Sequence, residues 1–462
     1  MIRFFIALWV SKFVYLIYIL RGKRLKTDMP GVVAYRLCPD FLSRISKPEL
    51  VICITGTNGK TTTSTLVYEM LERQGYKVSF NPAGYNLKAG YCLNLMRGVN
   101  IFNKCKIDAS VLEADELTLS VTMNQIVPNY VFVTNICKDS LRRNGHPDYI
   151  FSRIEKALNI LGDRTTLILN ANDPISSALG ETAGCKRIFY RMNDCGLKPA
   201  ENIAPDIKLC PHCNGKLVYD YRFYRHIGSF HCTSCDYSSA NANYYAENVD
   251  LDSREITITE SDGSKETYRL LSGSIFNAFN VLNAVTIFRT IGISQNTIKD
   301  FFSTQKITER RESSVFFDGV EYLTYAAKAQ NVSAASIVFE YVASEPINKV
   351  LVFCMDELQD RFHPTETVTW LYETDYEVLK SPYVKQIVIG GKMYLNHKLR
   401  LLLAGVDPDK IVCVEDDSLV PSLIGVTDVE KVYVLFEIDF ETKAKNWRDA
   451  IVDEMKRRKG EK

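Results

Sequence analysis

Residues 56–63, GTNGKTTT, bring two glycines, a lysine and a run of threonines together. Glycines let backbone amides turn towards an anion, and the N-terminal end of a following helix adds partial positive charge. A lysine can neutralise β- and γ-phosphate charge, and a threonine hydroxyl can reach a magnesium ion. The usual P-loop spacing is G-x-x-x-x-G-K-[ST]; here Gly56 precedes Gly59-Lys60-Thr61 with the loop two residues shorter. The expected ligand is a nucleoside triphosphate, held by Thr57, Asn58, Gly59, Lys60, Thr61 and Thr62.

A second constellation is Cys210-Pro-His-Cys213 with Cys232-Thr-Ser-Cys235. Two C-x2-C knuckles supply four thiolates for one tetrahedral zinc ion, and a full four-thiolate shell leaves no open position for water. The site is expected to be structural, a zinc ribbon over about residues 205–240. His212 and His231 flank the ligands and are left out of the shell.

The elements that carry these residues follow from hydrophobic pattern. Ile52, Cys53 and Ile54 read as a buried strand, and Leu66, Val67, Met70 and Leu71 recur at helical spacing until Gly75. Strands at Ala109–Glu113, in VPNYVFVTNI and in TTLILN deliver Glu113, Asp115, Thr134, Asn135 and Asn170 at their C-terminal ends, where ligands bind in open α/β sheets. Residues 273–293 read as one long apolar helix. The charged stretch ITERRE suggests a hinge, after which KVLVFCMDE, VKQIVIGG, KIVCVEDD and KVYVLFEID suggest a smaller parallel α/β unit. The expected division is 1–45 for an N-terminal helix and connecting segment, 46–311 for an ATP-binding domain, and 312–462 for a C-terminal α/β domain.

The chain of 462 residues has 46% hydrophobic and 24% charged residues and a net charge of +1, which gives no electrostatic reason to expect nucleic acid. Its 13 cysteines are mostly single within apolar runs, as reduced cytosolic thiols are. The N-terminal stretch MIRFFIALWVSKFVYLIYILRGKR is split by Lys12 into pieces shorter than a bilayer core needs. Two readings stand: a helix packed on the body of the protein, or one lying on a membrane surface with Arg21, Lys23, Arg24 and Lys26 near headgroups. Either way the body is expected in the cytoplasm, at most at the inner face of the membrane.

The loop TGTNGKT, with the later T-N, N-D and N-x-x-N elements, resembles the Mur ligase superfamily, whose members use ATP to make an acyl phosphate and join an amine to it. The four-cysteine insertion, the apolar N-terminal helix and the C-terminal domain resemble its MurT branch, the ligase-like subunits of lipid II isoglutaminyl synthases. The resemblance implies a Mur-ligase-like central ATPase domain with an inserted four-cysteine zinc ribbon and a smaller Rossmann-like α/β C-terminal domain. It implies ATP, Mg2+ and structural Zn2+ as cofactors. It assigns Asn86, in NPAGYN, and Asn277 and Asn280, in SIFNAFN, to the nucleotide, and Glu113 with Thr61 to magnesium. Arg310 stands for an arginine that reaches ATP, Lys328 for a lysine that approaches the γ-phosphate, and Asp360 for an aspartate that orients the catalytic histidine of a glutaminase partner. Lys60, Lys328 and Asp360 are the expected catalytic residues. The implied activity is amidation of the D-glutamate α-carboxylate in the lipid II stem, with ammonia from a GatD-like glutamine amidotransferase bound as a heterodimer. Altered motifs (TNICKDSLRRNGH, TERRE, Lys328-Ala-Gln and MDELQDRF) keep two alternatives open: a stand-alone Mur or folylpolyglutamate-type amino-acid ligase, and a degenerate nucleotide-binding regulator of a glutaminase.

Overall fold

The computed structural model describes residues 1–21, 27–81, 85–138, 146–196, 206–305, 312–327, 331–355, 368–437 and 440–460. It divides into two compact units, one drawn from Met1–Cys137, His146–Lys198 and Asp206–Ile307, the other chiefly from Thr308–Lys462.

The larger unit is built on β1 (Leu50–Thr55), β2 (Val78–Phe80), β3 (Ala109–Glu113), β4 (Tyr130–Val133), β5 (Thr166–Asn170) and β6 (Lys186–Met192). Strands β1, β3, β4 and β5 are short, apolar and almost wholly buried, as expected of a parallel sheet covered on both faces. A separate hairpin, β7 (Leu217–Tyr224) and β8 (Ile227–Cys232), forms its own two-stranded sheet. The main sheet is then extended by β9 (Tyr244–Asp250), β10 (Glu255–Glu260) and β11 (Lys265–Arg269), giving the order β11-β10-β9-β6-β5-β4-β1-β3-β2. The first six strands and β9 pair in parallel, whereas β9, β10 and β11 pair antiparallel. This extension was not expected from the sequence: its turns, around Ser253 and Gly263, are polar and its strands half-exposed, so no continuous apolar run marks them.

The helix Ile2–Leu20 and the short helices Met29–Leu37 and Phe41–Arg44 share the core of this unit. Phe4, Ala7, Leu8, Ala34, Phe41 and Leu42 are buried together with Tyr91, Leu95 and Met123. Lys12, which interrupts the apolar run, turns inward. Its Nζ donates to the carbonyls of Met96 (2.9 Å) and Val99 (2.6 Å), at the C-terminal end of the helix Lys88–Arg97.

The smaller unit carries β12 (Glu312–Phe317), β13 (Val320–Ala326), β14 (Lys349–Cys354), β15 (Val384–Gly390), β16 (Ile411–Val414) and β17 (Lys431–Phe436), in the order β12-β13-β17-β14-β15-β16. Five strands run parallel. The four strands read from the sequence, β14 to β17, pair in parallel as expected, whereas β12, which the sequence did not mark, pairs antiparallel with β13 through the turn at Asp318-Gly319, where both residues have positive φ.

Candidate nucleotide site and cysteine cluster

Strand β1 ends at Thr55 and the chain turns at Gly56 (φ +118°), where a Cβ would stand 2.2 Å from Thr134 Oγ1. The loop is fastened to the segment that follows β4. The Thr57 amide donates to the Asn135 carbonyl at 2.7 Å. Its Oγ1 donates to Cys137 O (3.0 Å) and accepts from Cys137 N (2.9 Å). Asn58 exchanges two hydrogen bonds with the Asn135 side chain, at 3.2 and 3.1 Å. The loop closes at Gly59 (φ +86°), which starts the helix Lys60–Arg73 with no side chain capping it. The first-turn N–H groups of that helix are thus available to an anion.

Beneath the loop lie three acidic side chains from one motif, LEADE, at the end of β3. Glu113 is buried; its Oε1 accepts from Thr61 Oγ1 at 3.1 Å. Asn81 fixes Glu113 by bonding both its backbone groups, at 2.9 and 3.0 Å. Asp115 caps the helix Glu116–Ile126, accepting from the amides of Leu117 and Thr118. Glu116, only 1% exposed, places Oε1 2.7 Å from Lys60 Nζ, which also donates to the Gly56 carbonyl. Burial raises the Glu116 carboxyl above the usual carboxylate range, against the opposing pull of Lys60.

The long helix Ile275–Thr290 brings Asn280 to the loop: its Oδ1 is the atom that a Cβ at Gly59 would meet, at 2.7 Å. Asn283 Nδ2 donates to Thr63 Oγ1 at 3.3 Å. Asn277 does different work, its Oδ1 accepting from the amides of Leu271 (2.7 Å) and Ser272 (3.0 Å). Asn86 offers its carbonyl to the Asp115 amide and the Tyr91 hydroxyl, tying NPAGYN to the acidic motif. The structure therefore gathers Thr57, Asn58, Gly59, Lys60, Thr61, Thr62, Glu113 and Asn280 around one loop. Arg310, Lys328 and Asp360 lie outside the described residues.

The four cysteines converge. Cys210 Sγ lies 3.7 Å from Cys235 Sγ and Cys213 Sγ 3.5 Å from Cys232 Sγ, with all four ligand atoms within 4.8 Å of one another. A disulfide would bring two sulfurs to about 2.05 Å, whereas a tetrahedral ion with Zn–S bonds of about 2.3 Å separates them by about 3.8 Å. The amides of His212, Gly215 and Ser234 point at Cys210, Cys213 and Cys232, as ligand-orienting donors do. His212 is turned away to Glu181 and Tyr237.

The tip of the β7–β8 hairpin, Arg225-His226, is buried in the larger unit beside the phosphate-loop supports. His226 Nε2 lies 3.2 Å from Asp173 Oδ1, and its Nδ1 lies 3.4 Å from Asp206 Oδ2. Asp173 Oδ2 accepts the Ile136 amide at 2.7 Å, one residue before the Cys137 that holds Thr57. Burial alone would lower the imidazole pKa, but hydrogen bonds to Asp173 and Asp206, and their charges, raise it to about 9.

Asn135 was marked only as a strand-end residue at the ligand edge, and sequence reasoning did not single out Glu116, Asn283 or the Asp173–His226–Asp206 cluster as site residues. Glu116 had a signal, since it follows Glu113 by three residues in the same motif. His226 had none, because its partners are remote in sequence.

A Mur ligase middle-domain model matches residues 54–206, and a MurT ligase C-terminal model matches residues 329–438. The chain is similar to the protein described as "Lipid II isoglutaminyl synthase (glutamine-hydrolyzing) subunit MurT" of Staphylococcus aureus (strain COL), 29% identical over 85% of this chain and 86% of that protein. It is similar to the protein of the same description from Streptococcus pneumoniae (strain ATCC BAA-255 / R6), 24% identical over 88% and 89%. In fold it is similar to a pseudomurein peptide ligase type C from Methanothermus fervidus, with a TM-score of 0.65, 16% identity and coverage of 93% and 84%. With this tight phosphate loop at the head of an α/β fold, the chain carries a match to the Mur ligase middle domain and, later in the sequence, to the MurT ligase C-terminal domain, and it is similar over most of its length to MurT subunits.

Proposed function

We propose that the chain is the ATP-dependent amidating ligase subunit of a lipid II isoglutaminyl synthase, acting in peptidoglycan synthesis. The observation that carries this reading is the loop 56–63 with Lys60 and Thr61 poised over Glu116 and Glu113, in a chain whose full-length relatives are MurT subunits. A carboxylate is a poor electrophile. Its oxygen attacks the γ-phosphorus of ATP, the bond to the bridging oxygen breaks, and ADP leaves. Ammonia then attacks the acyl carbon, the C–O bond to phosphate breaks, and loss of a proton leaves the amide. Lys60 and the first-turn amides of the helix Lys60–Arg73 neutralise charge spreading over the transferred phosphoryl group. Thr61 Oγ1 and the Glu113 carboxylate are the oxygens offered to magnesium, which supplies Lewis-acid neutralisation when bound.

The acceptor of this reading is the α-carboxylate of D-glutamate in the lipid II stem, and the ammonia comes from a GatD-like glutamine amidotransferase subunit. The four-cysteine cluster is read as a structural zinc ribbon, for which its sulfur donor set and spacing are the support. Arg310, Lys328 and Asp360 keep, as proposals, the roles that family resemblance gives them, and so does the division at 46–311 and 312–462. The test is the purified chain with ATP, a lipid II-type acceptor and ammonium, scored for phosphate release and amide. Ammonium-dependent amide is expected. Product that depends on an added amino acid, or no product at all, overturns the reading.

A further inference from the structure

The helix Ile2–Leu20 is predominantly apolar, yet the fold uses only one side of it. Phe4, Ala7, Leu8 and Ser11 are buried, and Lys12 is committed to the carbonyls of Met96 and Val99. The other side presents Ile2, Ile6, Trp9, Phe13, Leu16 and Leu20, each at least 48% exposed. Their spacing alternates between four and three residues, which is one unbroken stripe on a helix. The stripe is widened by a neighbouring loop. Trp9 Nε1 donates to the Ile101 carbonyl at 2.8 Å, setting Ile101 and Phe102 (53% and 73% exposed) alongside it. Contiguous apolar surface of this size marks a docking face rather than scattered exposed residues.

Charge identifies what covers it. Arg3, Lys12, Arg21, Lys23, Arg24 and Lys26 all precede the first acidic residue of the chain, Asp28. Arg3 and Arg21 are exposed near the two ends of the helix, and Lys104 and Lys106 are exposed just beyond Phe102. Aromatic and aliphatic side chains bordered by cations suit the headgroup–acyl boundary of an anionic bilayer. A membrane-spanning arrangement does not fit, because the opposite side of the helix and Lys12 are already spent on the core.

We propose that this face rests on the surface of an anionic bilayer, with the helix lying in the membrane plane. The inference stands on the stripe and its charges; it deepens the proposed function by putting the enzyme on the surface that carries a lipid-linked acceptor. The test uses the full chain with vesicles of phosphatidylglycerol and phosphatidylcholine in equal parts, or phosphatidylcholine alone, without ATP or acceptor. Of the three tryptophans, Trp370 and Trp447 are buried and Trp9 is 51% exposed, so a vesicle-induced blue shift reports on the stripe. The chain is expected to float with the anionic vesicles, weakly with the neutral ones, and less at high salt. Phe13→Glu and Phe102→Glu should each weaken flotation about tenfold without moving the thermal midpoint, since both side chains are exposed. No flotation, flotation indifferent to both substitutions, or a homodimer that Phe13→Glu dissolves while vesicles go unbound would overturn the proposal. Lost flotation with intact ammonium-dependent amidation of a detergent-solubilised acceptor separates its failure from that of the function.

Discussion

Lys60→Ala removes two things at once, and the structure lets them be told apart. The lysine is set to neutralise phosphate charge, and it is also the cationic partner of Glu116, a carboxylate with almost no exposure to water. At 2.7 Å and an effective dielectric of about 20, the gross attraction is about 6 kcal/mol. Deleting one member of a buried pair costs about 3 kcal/mol net, because the survivor is left desolvated. Burial already raises the Glu116 pKa and Lys60 opposes that shift, so removing the lysine raises it further. A carboxyl with a raised folded pKa binds its proton more tightly in the native state, and stability falls as pH rises through that raised value. The loss in Lys60→Ala should therefore be about 3 kcal/mol at pH 8 and should shrink as pH falls into the range where the Glu116 carboxyl takes up its proton, read by urea unfolding. Lys60→Ala with Glu116→Gln should return stability to within about 1 kcal/mol of the parent, since an amide tolerates burial without a cation. Turnover should stay down about 100-fold or more in both variants, because charge stabilisation in the transition state is not restored. Recovery of ATP-dependent phosphate release in the double variant, or full turnover in Lys60→Ala alone, would refute the reasoning.

Gly59→Ala combines a positive φ with a Cβ 2.7 Å from Asn280 Oδ1 and should lower nucleotide affinity about tenfold in a fluorescent-nucleotide titration. Gly75→Ala, at a positive φ with open space around it, is the control and should cost stability only. The His226 pKa is about 9 in the fold and about 6.5 in an unfolded chain, so its stabilisation is complete below pH 6.5 and disappears as pH rises through 9. Urea unfolding should show a decline of about 3 kcal/mol across that window, absent in His226→Gln. Metal analysis should find about one zinc per chain, and Cys213→Ser with Cys235→Ser should abolish it and lower the thermal midpoint.

Much of the larger unit is visible in the chain because local rules govern it. The strands around Ile52, Leu112, Phe132 and Ile168 are short apolar runs, and their polar C-terminal residues mark the ligand edge of the sheet. The antiparallel extension β9–β11 escaped notice because half-exposed strands such as KETYR carry little apolar signal. The N-terminal helix shows what an average conceals: its composition suits a membrane as well as a core, and the structure gives one side to the core and leaves the other outside it.

By itself the sequence determined the chemistry that depends on neighbours along the chain: a glycine-lysine-threonine turn between strand and helix, and two C-x2-C knuckles. Spacing dictates both. Only the tertiary structure decided that Glu116 faces Lys60, that Asn135 and Cys137 clamp the loop, that Asn277 holds a turn while Asn280 meets Gly59, and that His226 is buried between Asp173 and Asp206. Most of those contacts join residues far apart in the chain. Their identity is fixed by which strand ends the sheet order sets side by side, and no local pattern encodes that order.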